Sequence, residues 1–193
     1  MELRRISLTT RVVSINVGRP REIGSIRGRS VRSGIHKHQV EGAVRAGRLN
    51  LEGDEQADLS VHGGVSKAVY AYPSEHYPYW KNRFPKMNLE WGSFGENLTT
   101  EGLLEESVHV GDRLLAGSAE FEVTQPRLPC YKLGIKFGTQ RMLKWFLESG
   151  RTGFYMGVVK EGTVRAGDVV SVRRYDRPSL TIAEVVDSHR KSE

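Results

Sequence analysis

Cysteine is almost absent from this chain: 193 residues contain one, Cys130. A single cysteine closes no disulfide within the chain, which fits a reducing cytoplasm and leaves the thiol either packed as a small hydrophobe or used as a thiolate. Long apolar runs are missing as well, and nothing approaches the about 20 residues that a membrane-spanning helix needs. The N-terminal stretch MELRRISLTTRVVSINVG has neither a signal-peptide apolar core nor a small-residue cleavage site, so the mature chain is expected to begin near Met1. No Walker A loop occurs, and no GxGxxG opens a helix, which excludes the common nucleotide cradles. Basic runs are lacking too. The net charge of +6 and sequence pI of about 9.5 therefore point to small anionic ligands before nucleic acid.

What is present is glycine, 21 residues of it, between short alternating apolar stretches. Strands are expected over Arg11 to Val17, Lys67 to Tyr72, Arg113 to Leu115, Ala119 to Thr124, Tyr155 to Lys160 and Val169 to Tyr175, each bounded by turn formers. One device occurs twice, VHVGD at Val108 to Asp112 and VRAGD at Val164 to Asp168, each followed by a strand-like run. Repeated tight bends suggest a curved antiparallel sheet or a closed barrel, although Gly-Asp is also ordinary turn chemistry. Helices are few. TQRMLKWFLESG spaces Met142, Trp145 and Phe146 along one side, with Thr139 as the expected N-cap and Gly150 as the stop. A shorter helix is expected near Ser74, with Pro78 in its first turn and its aromatic residues in the core. After Arg177-Pro178 a capping box, Thr181 with Glu184, opens a last short helix that must pack on something to be stable. The boundaries read as one β domain over residues 1–177 and a short helical tail over 178–193.

The chemistry-bearing residues fall in five segments. In QPRLPCYKL the two prolines stiffen the backbone around Cys130, and Arg127 and Lys132 offer the positive charge that favours a thiolate. In EGDEQADLSVHGG, Asp58 and His62 precede the pair Gly63-Gly64, whose amides can form an anion nest; His62 is a candidate proton donor, and a surface turn is the plain alternative. In SGIHKHQVEG an extended backbone would put His36 and His38 on one face and Lys37 on the other, with Lys37 a candidate phosphate contact. No further ligands with zinc spacing accompany the two histidines. The loops SFGENLTTEG and SGRTGF contribute Asn97 and Arg151 as candidate hydrogen-bond donors to a ligand, or else are simple turns.

Taken together, GIHKH, LEGDEQADLSVHGG, KAVYAYPSEHYPYW, FGENLTTEG, QPRLPCYKLGIKFG and SGRTGFYMGVV resemble the MOSC domain family, in particular its YiiM-like branch, over about Ser33 to Tyr175. The resemblance implies a mainly β fold built on a closed β-barrel of the pyruvate-kinase type, with a few peripheral helices and a short C-terminal helix. It implies molybdenum cofactor (molybdopterin) as the bound group, with Cys130 as the metal ligand. Asp58, Gly63, Gly64, Asn97, Arg127 and Arg151 would then contact the cofactor, and His62 and Lys37 would deliver protons. The implied activity is reduction of N-hydroxylated compounds, such as N-hydroxylated purine base analogues, in the cytoplasm, with electrons from a flavoprotein reductase. A homodimer is a further expectation. Other readings stay open: a sulfur carrier or cofactor-handling protein with a Cys130 persulfide, and a non-catalytic anion-binding or nucleic-acid-binding barrel. Longer YiiM-like proteins add a three-helix C-terminal region, of which RPSLTIAEVVDSHRKSE would supply the first helix.

Overall fold

The computed structural model describes residues 10–26, 28–56 and 63–191. Twelve strands occur among them: β1 (Arg11–Val17), β2 (Arg21–Ile26), β3 (Arg29–Ser33), β4 (His38–Val40), β5 (Ala43–Ala46), β6 (Val69–Pro73), β7 (Leu98–Glu101), β8 (Arg113–Ala116), β9 (Ala119–Pro126), β10 (Phe154–Lys160), β11 (Gly162–Arg165) and β12 (Val170–Arg173). The helices are α1 (Tyr77–Arg83), α2 (Tyr131–Lys136), α3 (Arg141–Ser149) and α4 (Ile182–Arg190). Eight strands form one sheet in the order β12-β8-β9-β10-β6-β7-β1-β4, and two-stranded ribbons are made by β2 with β3 and by β5 with β11.

The closed barrel expected from the sequence is not what forms. The large sheet is open, with β12 and β4 at its ends, and it is mixed because β6 and β7 run parallel. The reason lies in β1. One edge of β1 pairs with β7, and the C-terminal half of the other edge, from Ile15 to Val17, is taken by β4. Only the start of β1 is left for the far end of the sheet, which it meets in the single bridge between Arg11 and Val169. The sheet curls toward itself without a continuous ladder to close it.

The twice-used turn is one physical device. Gly111 and Gly167 both have positive φ, 91° and 93°. In each case the following aspartate accepts a hydrogen bond from the amide three residues before it, His109 to Asp112 at 3.0 Å and Arg165 to Asp168 at 2.9 Å. The strands that follow, β8 and β12, pair with each other.

Two cores flank the main sheet. One is mostly aliphatic, around Val12, Ile15, Leu98, Phe121 and Met156. The other is aromatic, and α1, α2 and α3 close over it: Phe94 stacks on Tyr72 at 4.6 Å and Phe137 at 5.4 Å, and Trp80 donates its indole hydrogen to the Tyr72 hydroxyl at 2.7 Å. As expected, Met142 and Phe146 face this core from α3, which ends at Gly150 in the left-handed conformation; its N-cap is Gln140 and not Thr139. The capping box at Thr181 and Glu184 forms, and Ile182 and Val186 pack the inner face of α4. In SGRTGF, Gly153 answers a packing need. Its φ is +61°, and a side chain there would drive into the Ala71 carbonyl and come within 2.9 Å of the rings of Tyr70 and Tyr72.

Adjacent aromatics on α1 should separate sharply. Trp80 is fully buried while Tyr79 is 37% exposed. Trp80→Ala is expected to cost about 3–5 kcal/mol in urea unfolding and Tyr79→Ala under about 1 kcal/mol. Comparable losses would remove the aromatic layer as a core.

Candidate functional site

A cleft opens where β9 ends and β6 begins, enclosing about 690 Å³ when the open solvent at its mouth is included. Its walls come from the segments after β3 and before β7, the turn after β5, and the stretch from Arg127 to Lys132 between β9 and α2. Cys130 lies in that wall, partly exposed, as the N-cap of α2. The expectation of stiff, reachable backbone holds: Pro126 is the last residue of β9, and the chain leaves the sheet there.

Arg127 explains why this wall is charged. Its side chain is 5% exposed, its guanidinium lies over the rings of Tyr70 (5.6 Å) and Phe146 (5.0 Å), and its Nη1 has no hydrogen-bond partner. A buried donor without a partner costs on the order of 1–3 kcal/mol, more for a charged group, so a ligand that supplied an acceptor would be stabilised by it. Lys132, also buried, has no hydrogen-bond or ion-pair partner among the described residues and lines the same cleft.

Across the cleft, Lys37 and Asp54 form a buried ion pair, with side-chain exposures of 7% and 2%. Asp54 also accepts from the Gly18 amide at 2.8 Å and from Asn97 Nδ2 at 2.9 Å. Asn97 continues the network, accepting from the Tyr70 amide at 3.1 Å and donating to the Asn16 carbonyl at 3.3 Å. Desolvation draws the Lys37 ammonium below the usual lysine range, and the Asp54 charge and hydrogen bond push back against that shift. The result is an ammonium more willing to give up its proton than a surface lysine.

Behind this wall, Glu96 is fully buried and holds the 91–97 loop by accepting from the amides of Gly92 (2.8 Å) and Phe94 (3.0 Å), from Thr99 Oγ1 (3.1 Å) and from the Tyr77 hydroxyl. Burial raises its pKa, and the hydrogen bonds lower it again. Lys136, on α2, donates to the carbonyls of Ile35 (2.8 Å) and Gly92 (3.2 Å), tying the helix that begins at Cys130 to two other cleft segments. Burial lowers its pKa to about 8.

Cys130, Lys37, Asn97 and Arg127, named from the sequence, thus meet in one cleft. Arg151 does not join them: its guanidinium stacks on Tyr79 at 4.2 Å and bonds the Ser149 carbonyl at 3.1 Å. Gly64 lies beside the cleft and does not line it, its amide donating to Gln56 Oε1 at 3.1 Å; Gly63 does not line it either. Asp58 and His62 lie outside the described residues. The sequence reading missed Asp54, Gln56, Glu96 and Tyr155. Asp54 and Lys37 are 17 residues apart with no local pattern to link them, and the only available signal was the placement of Asp54 within the LEGDEQ segment.

The donor set suits a group that offers a thiophilic metal to a soft thiolate and anionic oxygens to cations. Cys130 provides the first, and Arg127 and Lys132 provide the second.

The chain is similar to several known proteins. The chain is 46% identical over 156 residues to the Bacillus subtilis protein YflK, 43% identical over 136 residues to Escherichia coli YiiM, and 37% identical over 161 residues to a Gibberella moniliformis protein named as a reductase. Those alignments cover 81%, 69% and 82% of this chain, and 70%, 61% and 28% of the respective relatives. Among solved structures, YiiM from Geobacillus stearothermophilus superposes with a TM-score of 0.78 at 34% identity, covering 95% of this chain and 85% of that one. YiiM from Escherichia coli gives 0.68 at 30%, covering 93% and 75%. The sequence profile of the MOSC domain matches residues 58–171, more than half of the chain, and with these relatives it establishes that the protein belongs to the MOSC domain family.

Proposed function

We propose that the protein is a molybdenum-cofactor-dependent reductase of N-hydroxylated compounds, N-hydroxylated purine base analogues among them. The observation that carries this reading is the meeting of the single cysteine with a buried, partly unsatisfied arginine in the wall of one cleft. Membership of the MOSC family and a relative named as a reductase support it.

The overall change is removal of oxygen from an N–OH group: the N–O bond breaks, two electrons and two protons enter, and an amine and water leave. When bound, the cofactor would supply the two-electron oxygen-abstracting chemistry that no side chain can. Cys130 Sγ would hold its metal, and Arg127 and Lys132 would hold its anionic part. Lys37 Nζ faces the cleft from the opposite wall, held by Asp54, and is suited to give a proton to the departing oxygen or the new amine nitrogen. Tyr70, Phe94 and Leu128 line the cleft beside these groups and offer apolar surface to a flat substrate. The electrons come from outside, from a flavoprotein reductase.

Two measurements test this reading. Cys130→Ser, coexpressed with cofactor biosynthesis, should keep its near-ultraviolet circular dichroism and lose its molybdenum in elemental analysis. Normal metal retention would remove the ligand assignment, and an added sulfur on wild-type Cys130 with no metal would favour the persulfide carrier. The second is a pH profile. Lys37 must be protonated to act, so activity should fall as pH rises through its lowered pKa. Asp54 raises that pKa, so in Asp54→Asn the basic limb should move to lower pH. A limb that stays in place in the folded variant would exclude Lys37 as the donor.

A further inference from the structure

Positive charge is not spread evenly over this chain. Between residues 19 and 32 there are five arginines, Arg19, Arg21, Arg27, Arg29 and Arg32, against one acid, Glu22; that is an excess of four positive charges, where the whole chain has six. The strands β2 and β3 fold this stretch into a two-stranded ribbon outside the main sheet. Arg19, Arg21, Arg29 and Arg32 are all exposed there.

The pairing sorts them. Arg32 stands opposite Glu22, a cross-strand pair of opposite charge, and its guanidinium is also engaged by the Pro20 carbonyl at 3.0 Å. Arg19 is within 3.4 Å of Glu55. Arg21 and Arg29 have no ion pair or hydrogen-bonded carboxylate among the described residues. Arg21 pairs in register with Ser33, a buried residue of the cleft wall, so it stands on the cleft side of the ribbon. It is also close enough to Lys136 and His36 for its charge to act on both. The ribbon rests on the helix that Cys130 caps: Gly24 approaches Ile135 on α2.

We infer that the Arg21 and Arg29 side of this ribbon is the docking surface for an acidic protein that delivers electrons to the cleft. The inference rests on the reductase reading, whose balance requires two electrons from outside the chain. The surface has the two properties a transient redox partner needs. Its exposed charges are predominantly positive, which steers an oppositely charged partner, and its Arg21 end adjoins the cleft. A nucleic-acid surface is less favoured, because the ribbon has no exposed aromatic side chain on which a base could stack. The donor would present carboxylates around a reduced flavin, and would pass two electrons for each N–O bond broken.

The test compares two reductants on the cofactor-loaded protein. One is an NADPH-driven diflavin reductase with an acidic flavin domain; the other is dithionite-reduced methyl viologen, which needs no docking. In Arg21→Glu/Arg29→Glu, kcat/KM for the diflavin reductase should fall at least tenfold at low salt, while viologen-driven turnover stays at the wild-type level. Wild-type turnover with the reductase should fall with added salt, and the variant should lose most of that dependence. Arg173→Glu, the same charge reversal on edge strand β12, should leave both rates unchanged. Equal reductase-driven rates in wild type and the double variant would overturn the inference. So would a loss of affinity for a single-stranded oligonucleotide with reductase-driven turnover intact. Failure of viologen-driven turnover in the wild type would count against the reductase reading itself and not against the ribbon alone.

Discussion

The cleft exists because one carboxylate is held out of water and fully occupied. Asp54 joins the segment after β1 through Gly18, the segment after β3 through Lys37, and the loop before β7 through Asn97. Each of these segments continues from the end of a β1 ladder, with β4 beginning at His38 and β7 at Leu98, and beyond those ladders they are joined by a charged hub whose desolvation is offset only while all three partners are present. Breaking one contact leaves a buried charge, so the arrangement is closer to all-or-none than to a sum of small bonds. Glu96 repeats the strategy one layer deeper, with backbone amides in place of a lysine.

The two cores divide the labour. The aliphatic core holds the strands of the main sheet together without reaching the cleft floor. The aromatic core does reach it: Tyr70 and Phe94 have one side in the core and another toward the cleft, and Phe146 supports the Arg127 guanidinium from beneath. The stacked rings therefore serve the site directly, placing a cation in surroundings where its charge is little screened.

Local chemistry was legible in the sequence and long-range pairing was not. Strands β1, β8, β9, β10 and β12, the helix stopped by Gly150, the capping box at Thr181 and the repeated Gly-Asp turn all announce themselves within a few residues, because alternation, caps and turns are local constraints. Barrel closure is not of that kind. It depends on which neighbour claims the second edge of β1, and the winner, β4, is three residues long and too short to register as a pattern. Cys130, Arg127, Lys37 and Asn97 could be named because their residue types are informative singly. Asp54 looked like one more acid in a polar turn until folding brought Lys37 to it. The gathering of arginines on the β2–β3 ribbon escaped notice for a related reason: spaced by other residues, they make no run along the chain and become a field only when the ribbon forms.

Gly153 sets how closely the chain entering β10 approaches β6, by contact of main chain with main chain and ring, with no side chain of its own between them. No rotamer or methyl group at that position can be traded to loosen or tighten the fit. The frame is therefore stiff to sequence drift there, whereas the cleft walls are built from side chains that can be exchanged one at a time. A protein made this way can change what it admits without changing the scaffold that admits it, which separates the freedom to acquire new substrates from the requirement to keep folding.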